Sequence, residues 1–177
     1  SDEWRRSIFD FYTLGGATAL RDKLATWSGG KLVVHVTEMP IKCPVAPLEF
    51  SFFADAFFAQ RGIREKVDIT YVTPLDGAFT RPTASRRLGG LLRDRGISIE
   101  PDFVIDRVDS ENKALISMDE RVVPFDVLVT VPLNMGPDYL ARSGLGDELN
   151  YLPVDKATLQ SKRFDNIFAL GDGSDIP

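Results

Sequence analysis

Apolar residues recur at helical spacing over residues 17–27, where Leu20, Leu24 and Trp27 fall in step and Gly29-Gly30 stop the run. Residues 31–37 are β-branched and nearly all apolar, the pattern of a parallel strand covered on both faces. After a proline-rich turn, Phe50, Phe53, Ala54, Phe57 and Phe58 stand at i, i+3, i+4, i+7 and i+8, which predicts a helix burying a phenylalanine stripe. Pro47 suits its first turn and Gly62 its end. Residues 67–73 predict the next strand, 83–95 a helix with Leu88, Leu91 and Leu92 inward, and 97–100 a third strand. Residues 103–108 and 113–117 read as an antiparallel pair, and 127–131 as a buried strand ending at Pro132. A loop-rich stretch follows, and then 166–170, an apolar strand closed by Gly171-Asp172.

Strands alternating with helices predict an α/β fold: a Rossmann-like, three-layer βαβ domain on a parallel sheet, with an antiparallel β appendage. The βαβ pattern gives way to isolated strands near Pro124, where a boundary is expected.

Composition narrows the function. Hydrophobic residues at 44% and charged residues at 27% are the balance of a soluble globular chain, with no apolar run near the ~20 residues that span a bilayer. The charge is 21 − 26 = −5 with scattered basic residues, which argues against a nucleic-acid surface. Arg81, Arg86, Arg87, Arg93 and Arg95 read as a solvated helix face. One Cys and one His make neither an internal disulfide nor a zinc site, so no metal is expected. His35, inside Leu32-Val33-Val34-His35-Val36, reads as a buried strand histidine. The first residues lack an initiator Met and a secretory pattern, so the chain is expected to be processed or cut from something longer.

Candidate chemistry centres on Cys43. Its turn leaves the carboxyl end of a parallel strand and enters a helix N-terminus, where open α/β sheets bind ligands. Unpaired backbone N–H groups, the helix dipole and Lys42 all favour the thiolate, which is the nucleophile; the alternative is a small buried hydrophobe. A pyrophosphate-binding turn would carry G-x-G-x-x-G, and this one has no glycine. Gly144-Leu145-Gly146 is a decoy, lacking the third glycine and a preceding strand. Gly171-Asp172 is the second candidate, where a carboxylate at a strand end accepts hydroxyl protons from a sugar-like chain.

The run Pro40-Ile41-Lys42-Cys43-Pro44-Val45-Ala46-Pro47-Leu48-Glu49 resembles the cysteine segment of sulfide:quinone oxidoreductases and flavocytochrome c sulfide dehydrogenases. Thr73-Pro74-Leu75 and residues 166–172 are similar to further segments of that FAD-dependent pyridine nucleotide-disulfide oxidoreductase superfamily. The resemblance implies that residues 1–13 connect from an absent half of an FAD-binding domain, 14–124 form an inserted NAD(P)-type domain, and 125–177 return into the FAD domain. It implies Pro132, Gly171 and Asp172 at the FAD. Cys43 would be one of two redox cysteines passing electrons from sulfide through FAD to quinone. Glu49 matches a position near flavin and quinone, where it either moves protons or is a first-turn acid favoured by the helix dipole. The resemblance further implies a cytoplasmic or membrane-peripheral protein. The glycine-rich FAD loop and the second cysteine of that family are missing here, so this segment alone is expected to be inactive and to bind FAD poorly. Two other readings stay open: an NAD(P)H-dependent flavoprotein reductase, opposed by Thr73-Pro74 where an acidic ribose partner usually stands, and a non-catalytic α/β interaction module with a structural Cys43.

Overall fold

The structure is a computed structural model that describes residues 3–176. The chain divides into two compact units: Ser1–Met39 with Cys43–Pro132, and Leu133–Pro177 with Pro40–Lys42.

The first unit is built on a five-stranded, all-parallel sheet. Its strands are β1 (Ile8–Phe9), β2 (Gly30–Val36), β3 (Val67–Val72), β4 (Ile97–Glu100) and β8 (Val127–Val131). Their order is β1-β8-β2-β3-β4. Three helices precede or connect the strands: α1 (Leu14–Thr26), α2 (Ala46–Gln60) and α3 (Pro82–Asp94). An antiparallel sheet of β5 (Ile105–Asp109), β6 (Ala114–Ser117) and β7 (Val122–Pro124) completes the unit.

Burial on both faces explains why the parallel strands are apolar throughout. On one face Val33, Val72, Ile8 and Leu128 pack with Phe103, Leu115, Val123 and Phe125 around the antiparallel strands. The alternate positions Leu32, Val34 and Val36 are buried as well, and α2 packs on β2 and β3 while α3 packs on β4. The antiparallel sheet therefore shares the core. It also has a third strand, β7, too short to give a period-2 signal.

The buried faces of two helices need correction. The phenylalanine stripe is only partly core: Ala54 and Phe58 are buried, but Phe53 is 71% exposed and Phe57 37%. The buried face of α2 runs through Leu48, Ser51, Ala54, Asp55 and Phe58 instead. Leu92 is buried in α3, while Leu91 points outward. The first compact unit runs to Pro132, because β8 lies inside the sheet and pairs with β1 on one side and β2 on the other.

The second unit includes a short α-helix, α4 (Asp138–Arg142), and a small core of Leu140, Leu152 and Val154 joined by Leu145, Ile167, Ala169 and Ile176. Residues 166–170 do not form the buried strand that their sequence suggests. Only Phe168 makes a bridge, to Gln160. Ile167 and Ala169 reach the small core, while Phe168 (61%) and Leu170 (73%) are exposed. A two-sided apolar strand needs cover on both faces, and this unit covers one.

Candidate functional site

In the first unit the chemistry gathers at the turn from β2 to α2. Cys43 is exposed there, beyond the carboxyl end of β2 and ahead of Ala46, where α2 begins. Its φ of 48° is left-handed, unusual for a residue with a Cβ. The Cys43 carbonyl accepts the Ala46 N–H at 2.9 Å and the Tyr12 hydroxyl at 3.5 Å. Val45, the residue capping α2, offers no side-chain acceptor, so the dipole of a 15-residue helix is uncapped by side chains where the turn enters it. Burial, and then the charge of Cys43, push the Tyr12 phenol up to about 12, so it remains a donor at ordinary pH. Glu49 is exposed on the first turn of α2.

The neighbouring polar groups of this unit are structural. His35 is buried on β2, its Nδ1 3.0 Å from Thr130 Oγ1 and its ring edge-on to Phe103. Burial lowers it to about 4, which keeps the imidazole neutral. Thr73, at the end of β3, is buried and its Oγ1 accepts the Leu75 N–H, so no carboxylate stands at that strand end. Asp76 lines a separate hollow of about 680 Å³ beside α3 and β4.

In the second unit a hollow of about 510 Å³ is lined by residues that include Lys42, Asn134, Tyr151, Gly171 and Asp172. Lys42 Nζ lies 3.9 Å from Asp172 Oδ2. The Lys42 backbone N–H donates to Asn134 Oδ1 at 3.0 Å. Gly171 has a left-handed φ of 61°, and a Cβ there would meet nothing within 4 Å. Gly171 and Asp172 thus share one concave surface, whereas Pro132 closes β8 and is the last residue of the first unit. Gly144 and Gly146 serve the end of α4: their N–H groups bond to the Ala141 and Leu140 carbonyls.

Two participants escaped the sequence. Tyr12 sits in a stretch with no periodic signal, and Asn134 in a loop whose hydrogen bond spans 92 residues. Among the described residues no group of three or more His, Cys, Asp or Glu is placed to hold a metal ion, and no helix is long and apolar enough to cross a membrane.

Comparison with known proteins finds relatives along nearly the whole chain. No protein-family model matches the chain. It is 31% identical over 188 residues to a mitochondrial sulfide:quinone oxidoreductase of Schizosaccharomyces pombe, covering 99% of this chain and 40% of that protein. It is 26% identical over 181 residues to the corresponding mitochondrial protein of Mus musculus, covering 96% of this chain and 40% of that one. Among solved structures, the sulfide:quinone oxidoreductase of Aquifex aeolicus superposes with a TM-score of 0.79 at 19% identity, over 97% of this chain and 42% of that one. The chain therefore spans about 40% of the length of the curated relatives it matches.

Proposed function

We propose that this chain, which resembles sulfide:quinone oxidoreductases over nearly its whole length, is the inserted dinucleotide-type domain and part of the FAD domain of such an enzyme. The enzyme takes two electrons from sulfide and delivers them through FAD to a quinone. The observation that carries the reading is the Cys43 turn. An exposed sulfur stands at the carboxyl edge of a parallel sheet, before the N-terminus of α2, in a turn without the glycines a pyrophosphate needs. Residues 14–124 and 125–177 divide the roles as the resemblance implies.

The second unit fits part of the cofactor. The exposed Asp172 carboxylate can accept hydrogen bonds from the hydroxyls of a ribityl chain, and Gly171 leaves the space beside it open. Gly171 and Asp172 would hold that part of the FAD. Bound FAD supplies the two-electron exchange between thiols and quinone.

Cys43 acts with a second cysteine outside this sequence. Hydrosulfide attacks the disulfide joining them: the S–S bond breaks, a new S–S bond to the incoming sulfur forms, and a persulfide and a thiolate result. The Tyr12 hydroxyl and the Ala46 N–H both donate to the Cys43 carbonyl and fix the turn from which the sulfur projects. Glu49, exposed on the first turn of α2, is placed to exchange protons with solvent. The quinone partner suits a protein peripheral to a membrane.

The test uses the purified full-length protein. Sulfide should bleach its bound flavin and reduce a soluble quinone, and Cys43→Ser should lower that rate at least a hundredfold while leaving the flavin spectrum in place. Flavin that is reduced by NADH and indifferent to sulfide would replace this reading with a pyridine-nucleotide reductase.

A further inference from the structure

Asn134 stands in the second unit and lines its hollow. Its Oδ1 accepts the Lys42 N–H at 3.0 Å. That contact settles which end of the amide is which, because an NH₂ facing another N–H would be repelled. Nδ2 is consequently buried with no hydrogen-bond partner. An unpaired buried donor costs about 1–3 kcal/mol, and folded proteins keep few of them.

The setting of this donor gives it a use. The hollow already presents a carboxylate at Asp172, with the Lys42 ammonium 3.9 Å away. Those groups serve hydroxyls and anionic oxygens. A ligand carrying carbonyl oxygens or ring nitrogens needs a neutral donor as well, and Asn134 holds one in reserve. Nδ2 is sealed from solvent, and Asn134 lines the hollow in which such a ligand would sit. Among the described residues the other unpartnered buried side-chain atom, His35 Nε2, belongs to a sheet residue that lines neither hollow.

We propose that Asn134 is a cofactor-binding residue whose Nδ2 donates to an acceptor atom of the flavin nucleotide when that group fills the hollow. The inference rests on the FAD assignment made above, and goes beyond it by giving a specific role to a side chain at the start of the second unit.

Asn134→Asp tests it. The substitution keeps the acceptor for the Lys42 N–H at nearly constant shape, while it removes the donor and adds a charge. Asn134→Ala separates loss of the donor from the added charge. Full-length protein stripped of flavin is titrated with FAD, followed by quenching of flavin fluorescence, and its melting temperature is measured without flavin. Both variants should raise the FAD dissociation constant tenfold or more, with each stripped variant still folded at the temperature of the titration. Parent and variants binding FAD within twofold of one another would overturn the role of Asn134 and leave the FAD assignment standing. A parent that binds no FAD would remove the assignment and this inference together.

Discussion

The Tyr12 hydroxyl donates to the Cys43 carbonyl across 3.5 Å, linking the segment after β1 to the turn after β2. The bond reaches a residue in the left-handed region, whose carbonyl is also held by the Ala46 N–H. Two donors on one carbonyl fix the orientation of the peptide from which the thiol projects.

Tyr12→Phe removes one of them. At 3.5 Å the bond is weak, so the stability loss should stay below about 1 kcal/mol. The thiol should nonetheless respond: the alkylation rate of Cys43 at fixed pH should change at least twofold, with the melting temperature nearly constant. An unchanged rate would show that the Ala46 N–H holds the turn unaided.

Phenylalanine on α2 gives a second contrast. Phe58 is fully buried and touches Trp27 edge-on, whereas Phe53 lies largely in solvent. Phe58→Ala should cost about 3–5 kcal/mol by emptying a core position, and Phe53→Ala no more than about 0.5 kcal/mol. Chemical denaturation of the two variants measures both. Equal losses would mean that Phe53 has a packing partner.

That contrast shows what was legible in the sequence. The period of the apolar residues located α2 and the strands, because burial on both faces forces a continuous apolar run such as Leu32 to Val36. It did not give the buried face of α2, because five phenylalanines crowd the helix and the true face includes the polar Ser51 and Asp55. β1 was missed since two residues carry no period. The Cys43 turn was readable from chain order alone, as strand, turn and helix. Asn134 was not, because its meaning comes from a hydrogen bond to a distant backbone group.

Asp55 makes a prediction that no local pattern contains. Its buried carboxylate joins Arg64 Nε at 2.5 Å and Arg95 NH1 at 2.9 Å, and Arg64 also donates to the carbonyls of Val67 and Arg95. Burial pushes the Asp55 carboxyl up, but the hydrogen bonds and charges of the two arginines outweigh it and hold the group below its ordinary value. A depressed carboxylate stabilises the fold above its unfolded pKa of about 4, and that contribution fades as pH falls through the folded value. Asp55→Ala should therefore cost about 2–3 kcal/mol at neutral pH, by stranding the half-buried Arg64 charge. Denaturation at pH 7 and pH 3 should show the gap between parent and variant narrowing in acid. A gap that is constant with pH would mean the carboxylate contributes through packing alone.

His35 titrates in a different window, and as the one histidine it can be followed without ambiguity. Burial lowers it from 6.5 to about 4, so the folded protein refuses a proton that the unfolded chain takes up. Stability is complete above pH ~6.5, declines as pH falls toward 4, and has nothing further to lose from this residue below that. At 1.36 kcal/mol for each pH unit, the whole decline is on the order of 3 kcal/mol. His35→Gln keeps a polar group beside Thr130 but cannot take up the proton. The variant should be the less stable protein at pH 7.5, through imperfect packing, and should lose far less than the parent between pH 6.5 and 4.5, where most carboxylates are still ionised. Parallel stability curves for the two proteins across that range would mean that the imidazole accepts a proton in the folded state despite its burial beside Phe103.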